Sequence, residues 1–135
     1  MTTGNDDTRR IADENLVALV MRYFAAVDRG DLAATLAFFV PDARFTIATF
    51  DTVYEGRDSG IRAMFERLQA RYASVWHGDF EHVVQAPQKI ASRFQVRNTA
   101  LDGSVTIKNN SNFFSLRDGR FESVQVYMSG ENSLT

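Results

Sequence analysis

Helical periodicity is confined to the first 72 residues, and four strand-like runs follow it; that order restricts the folds open to this chain more than any other feature. Leu16, Leu19, Val20, Tyr23, Phe24 and Val27 recur at three- and four-residue spacing, the stripe of an amphipathic helix that Gly30 ends. Asp31 caps a short second helix whose apolar face is Leu32, Leu36 and Phe39, and Pro41 stops it. Residues 43–49 have strand composition, and a loop with Asp51 leads through Val53, Tyr54, Glu55 and Gly56 to a third helix patterned by Ile61, Met64, Phe65, Leu68 and Tyr72. The strand-like runs near 77–86, 89–100, 104–116 and 121–128 are separated by turn signals, two of them Asp-Gly steps that specify hairpins. Helices first and antiparallel strands second imply an α+β domain with its helices packed on one face of a curved sheet.

A chain of 135 residues without repeats or linkers is expected to form one domain, here 9–135, with residues 1–8 as a flexible tail. The formal net charge of −2 lacks the basic footprint of a nucleic-acid binder. With no cysteine, disulfides, thiolate catalysis and cysteine-ligated zinc are excluded. No apolar run reaches the length of a membrane span and the polar start is no signal peptide, so the expected setting is cytoplasmic, without membrane contact. Eleven phenylalanines beside four tyrosines and one tryptophan suit either a ring-lined cavity or a dense core.

Polar residues in this apolar frame are the candidates for chemistry. In 104–116, alternation puts Thr106, Lys108, Asn110, Asn112 and Phe114 on one face and Val105, Ile107, Asn109, Ser111 and Phe113 on the other. Either choice of inner face buries polar groups, which then need partners or a ligand; the alternative is a wet polar face or a dimer contact. Tyr23 lies on the apolar stripe of the first helix, so its hydroxyl is expected to be buried, on a ligand or on a backbone carbonyl. His82 alternates with Phe80 and Val84 and can be a general acid or base, or a structural side chain. His77, beside Trp76 at a strand start, is the weaker candidate. Two histidines five apart in a regular strand face opposite ways, and Glu81 faces away from His82, so no metal site is expected.

The segments Arg22-Tyr23-Phe24-Ala25-Ala26-Val27-Asp28-Arg29-Gly30-Asp31, Phe39-Val40-Pro41-Asp42-Ala43 and Tyr54-Glu55-Gly56-Arg57, with the ending Asp118-Gly119-Arg120-Phe121 through Val126-Tyr127-Met128-Ser129, resemble the nuclear transport factor two-like superfamily. Within it they are most similar to the ketosteroid isomerase and SnoaL-like polyketide cyclase branch. The resemblance implies a cone-like, mostly antiparallel mixed sheet with three N-terminal helices on its concave face, a cystatin-like α+β barrel. It also implies sheet-to-sheet homodimers. Residue by residue, Tyr23 stands where ketosteroid isomerases carry an oxyanion donor, and Asn112 stands at their second donor. Ile47 stands where those enzymes have their general base, and Phe39 and Phe65 where some have supporting tyrosines, which argues against standard steroid isomerisation. Tyr23, Asp28 and His82 resemble the set of scytalone dehydratase and bile-acid dehydratases, with Asn112 as the substrate-binding asparagine; a capping or turn role for Asp28 is the alternative.

Two functional expectations follow. One is a cofactor-independent lyase or isomerase that enolises a small apolar carbonyl compound, polyketide- or steroid-like. Tyr23 and Asn112 would hold the oxyanion, and His82 would move the proton beside Asp28. Phe24, Phe45, Ile47, Phe65, Phe94, Asn110, Phe114 and Met128 would form the walls. The other is a non-catalytic binding or dimerisation module of the same fold, favoured by the missing first-strand carboxylate.

Overall fold

The computed structural model describes residues 3–135, with side chains from residue 6 onward. Helix α1 runs over Thr3–Asp28, so residues 3–8 of the expected tail are helical, while Met1 and Thr2 lie outside the described residues. Its buried stripe is Leu16, Val20, Tyr23, Phe24 and Val27. Gly30 takes φ +69° to turn the chain, and the Asp31 carboxylate accepts from the Ala34 N–H at 3.0 Å to start α2 (Leu32–Leu36).

Phe39 belongs to strand β1 (Phe39–Ile47) and not to the second helix. A parallel ladder to β6 (Arg120–Met128) claims it, with Phe39 opposite Phe121 and fully buried among the rings of Tyr23, Phe45, Phe65 and Phe121. Pro41 therefore interrupts a strand, inside the register shift between Phe39 and Arg44 where its missing N–H is tolerated. After β2 (Thr52–Glu55), a wide π-type turn over Gly56–Ile61 leads into α3 (Arg62–Arg71). A Cβ on Gly60 would lie 2.6 Å from the Glu55 carbonyl oxygen, so only glycine fits this turn.

The remaining strands are β3 (Tyr72–Gln85), β4 (Lys89–Ala100) and β5 (Val105–Arg117). β3 begins at Tyr72, five residues earlier than the sequence pattern suggests. The six strands form one mostly antiparallel sheet in the order β2-β1-β6-β5-β4-β3. Asp118 and Gly119 both have positive φ, the type I′ geometry that Asp-Gly favours between β5 and β6. The helices pack on one face, and there β4 presents Ser92, Phe94, Val96 and Asn98 while β5 presents Lys108, Asn110, Asn112 and Phe114. Val105, Ile107 and Phe113 stand on the open face, 57%, 56% and 50% exposed. Among the described residues, no helix is long and apolar enough to cross a membrane.

Candidate functional site

One irregularity in β3 determines which side chains meet. Between Gly78 and Glu81 the ladder to β4 shifts by one residue, with Asp79 in the left-handed region at φ +56°. The extra residue reverses the alternation. His77 therefore stands opposite Val96 and His82 opposite Ser92, both on the helix-covered face, which corrects the expectation that the two histidines diverge.

The bulge also changes which histidine Asp28 serves. At the end of α1, the Asp28 carboxylate meets the His77 ring, Oδ1 to Nδ1 at 2.5 Å, and its Oδ2 accepts the His77 backbone N–H at 3.0 Å. β3 is a sheet edge, so this N–H has no neighbouring strand to bond to, and the carboxylate answers it. The imidazole packs on the rings of Phe24 and Phe94 at 4.7 and 5.4 Å between centroids. With Nδ1 held, Nε2 is the nitrogen left for other work. His82 forms no pair with Asp28. It stacks on Phe80, its Nδ1 lies 2.8 Å from the Ser92 hydroxyl, and burial pushes its pKa down. Phe80 in turn packs on Phe24 and Phe94, one ring layer away from the Asp28 pair.

His77 lines a cavity of about 40 Å³ between the helices and the sheet. Its aromatic wall is Tyr23 and Phe24 from α1, Phe45 from β1, Phe65 from α3 and Phe94 from β4. Its polar wall is Asn98 from β4 with Asn110 and Asn112 from β5. Ile47, Phe114 and Met128 are buried outside this lining; Phe114 is taken up by the ring cluster with Tyr23, Phe24 and Phe121. Tyr23 is buried, and desolvation first, then the Asp28 charge, raises its phenol well above the usual value. It is thus a neutral hydrogen-bond donor at any working pH. The three asparagines are 1%, 7% and 4% exposed, and both amide atoms of Asn98 and the amide oxygens of Asn110 and Asn112 have no partner in the protein. Buried amides rarely go unpaired unless a bound molecule completes them.

Every lining residue sits in a helix or strand except Ser133 and Leu134. The segment that carries them is held by its carbonyls. Lys108 Nζ donates to Glu131 O, Arg71 to Asn132 O at 3.1 Å, and the Tyr54 hydroxyl to Leu134 O at 3.2 Å. Lys108 is a buried ammonium, and desolvation pulls its pKa down. Among the described residues, no cluster of three or more His, Cys, Asp or Glu could hold a metal ion.

Sequence reasoning placed His77 behind His82 and did not single out Asn98, Ser133 or Leu134, and all four line the cavity. For His77 a signal existed: a glycine inside a strand pattern, Gly78 before Asp79, is a bulge mark.

The sequence profile of the SnoaL-like domain matches residues 20–124. No curated protein matches the chain. Among crystal structures, a candidate polyketide cyclase from Xanthomonas campestris pv. campestris superposes with a TM-score of 0.77 at 21% identity, covering 86% of this chain and 91% of that one. Another from Pseudomonas putida KT2440 gives 0.74 at 24% identity, covering 81% and 87%. A protein with a ketosteroid isomerase-like fold from Catenulispora acidiphila, in complex with trimethylamine, gives 0.73 at 15% identity, covering 86% and 88%. These likenesses concern the fold. With the profile spanning most of the sequence, the chain belongs to the SnoaL-like domain family and has its nuclear transport factor two-like fold.

Proposed function

We propose that the cavity is the active site of a cofactor-independent lyase or isomerase that enolises a small carbonyl compound. The observation that carries this reading is the Asp28-held His77 on the same cavity as neutral Tyr23 and two incompletely bonded amides. His77 replaces His82 as the base. Its Nε2 takes the proton from the carbon next to the carbonyl, and the C–H electron pair becomes the enolate. Asp28 keeps the other proton on Nδ1 and stabilises the imidazolium that forms. Tyr23 donates to the developing oxyanion, and so do Asn112 and Asn110 once their amides turn to bring nitrogen, in place of the unpartnered oxygen, to the cavity; ring walls exclude water and strengthen each bond. The imidazolium then returns the proton to a second carbon, or to a departing hydroxyl in a lyase. The carbonyl itself is the electron sink, so the step requires no cofactor.

Size sets a condition. A cavity of about 40 Å³ matches little more than one water, whereas small-molecule sites commonly measure about 300–1,000 Å³. A ring gains access when Ser133 and Leu134, the only irregular part of the wall, move aside.

The test is deuterium exchange into 2-tetralone, followed by proton NMR. The wild type accelerates exchange next to the carbonyl, His77→Ala loses roughly 10²–10⁴ of that acceleration, and His82→Ala keeps it. Equal exchange with wild type and His77→Ala overturns the reading, and binding of the ketone without acceleration makes the domain a binding module.

We further propose that a second copy of the chain covers the open sheet face. Val105, Ile107, Phe113 and Tyr127 stand about half exposed on that face, and Phe113 packs edge-on against Tyr127, so the face carries large apolar side chains that a partner would remove from water. A single 15.2 kDa species in sedimentation at micromolar concentration contradicts this.

A further inference from the structure

We propose that Asn98 is a second recognition point of the cavity, and that it reads a neutral hydroxyl on the substrate about one fused ring away from the carbon that His77 deprotonates. This rests on the cavity being the substrate site. The argument begins with the ladder. Along the covered face of β4, Asn98 lies two residues beyond Val96, which faces His77, while Phe94, which faces Asn110, lies two residues to the other side. At about 3.3 Å per strand residue, Asn98 is roughly 7 Å along the strand from the His77 level and roughly 13 Å from that of Asn110. The histidine therefore stands between two sets of amides, as the base would for a ligand that has its carbonyl on one side and a second polar group on the other.

The chemistry of that second group follows from what Asn98 lacks. Its side chain is 1% exposed and lines the cavity, and neither its amide nitrogen nor its amide oxygen has a partner. Turned either way, the amide offers both a donor and an acceptor. A hydroxyl is the smallest ligand group that answers both. A carboxylate would leave the amide oxygen facing negative charge. An ammonium group would leave the amide nitrogen unanswered and would sit near Lys108, the buried cation at the next inward position across the ladder, opposite Val96. Lys108 itself is occupied by the Glu131 carbonyl, so it does not complete Asn98. The substrate is thus a carbonyl compound that carries a neutral hydroxyl roughly 7 Å along the strand direction from the carbon that His77 deprotonates.

The test compares 2-naphthol, which mimics a fused-ring enolate, with 2,6-dihydroxynaphthalene, which adds the remote hydroxyl. Calorimetric affinities are measured for the full-length wild type, Tyr23→Phe and Asn98→Leu. Wild type should bind the diol about tenfold more tightly than 2-naphthol, the worth of one completed donor–acceptor pair. Asn98→Leu should abolish that preference, and its melting temperature should not fall, because an unpaired amide is replaced by an apolar group of similar volume. Equal wild-type affinities for the two compounds overturn the proposal without any variant. So does a preference that survives in Asn98→Leu. If 2-naphthol binds and Tyr23→Phe weakens it, either result leaves the active-site reading standing. Binding of neither compound, or binding indifferent to Tyr23→Phe, refutes that reading and the Asn98 proposal with it.

Discussion

The geometry at Asp28 makes a prediction that needs no substrate. One carboxylate oxygen accepts the backbone N–H of His77 at 3.0 Å, and the other meets ring Nδ1 at 2.5 Å. The backbone N–H can only donate. In Asp28→Asn the single remaining acceptor must therefore stay on the backbone, and the new NH₂ group faces Nδ1. Nδ1 then has to accept, and the ring proton moves to Nε2, the nitrogen that the mechanism needs bare. Both hydrogen bonds persist but lose their charge assistance, a cost of about 1–2 kcal/mol, or roughly 3–8 °C in melting temperature for a domain of this size. A comparable tautomer error in a serine-protease triad costs roughly 10⁴ in turnover. Long-range nitrogen–proton NMR on labelled protein reads the tautomer directly: Nδ1–H in wild type, Nε2–H in Asp28→Asn. A variant that keeps Nδ1–H and still accelerates exchange in 2-tetralone refutes this account of Asp28.

His82 gives a pH effect of determined sign. Burial lowers its folded-state pKa below 6.5, so between that value and 6.5 the unfolded chain binds more protons, and stability rises with pH across that window. His82→Gln should flatten this part of the curve in urea titrations; an unchanged slope would show that another group is responsible. At Asp79, φ +56° disfavours branched side chains, so Asp79→Val should cost about 1–3 kcal/mol while Asp79→Gly is neutral or stabilising. Equal melting temperatures for the two variants would contradict the strain assigned to the bulge. Lys108→Met removes the donor to the Glu131 carbonyl together with a buried charge. Amide exchange in 129–135 should speed up about tenfold with global stability held or raised, and unchanged exchange there would deny Lys108 its part in holding the segment.

What the sequence revealed was local chemistry, and what it hid was pairing. The Asp118-Gly119 step specifies its hairpin because the turn needs positive φ at both residues, the Asp102-Gly103 step needs it at the glycine alone, and β4 falls over 89–100 as its flanking turns imply. Phe39 fits a helix stripe by spacing, yet its ring gains more from the parallel ladder to Phe121, a contact 82 positions away that no local pattern contains. The inner face of β5 was undecidable from alternation, since both faces mix polar and apolar residues. Pairing Phe94 with Asn110 and Ile90 with Phe114 settles it. The histidines show the same limit more sharply: one inserted residue near Asp79 reverses every parity argument across it, and His77 and His82 come to share the covered face.

Because β3 is an edge, the carboxylate that positions the proposed base through one oxygen uses the other to satisfy a backbone group that would otherwise be unpaired, so stability and chemistry meet in one side chain. The two roles can be separated. His77→Phe removes the base but keeps a ring against Phe24 and Phe94, and it leaves the backbone N–H on Asp28. Asp28→Ala removes the acceptor for both groups. Each variant should lose acceleration of ketone exchange, but Asp28→Ala should be the less stable by the cost of an unanswered, half-buried N–H, about 1–3 kcal/mol. Urea unfolding of the two variants measures this difference. If they unfold at the same urea concentration, the carboxylate contributes nothing to the strand edge, and its only role is toward the imidazole.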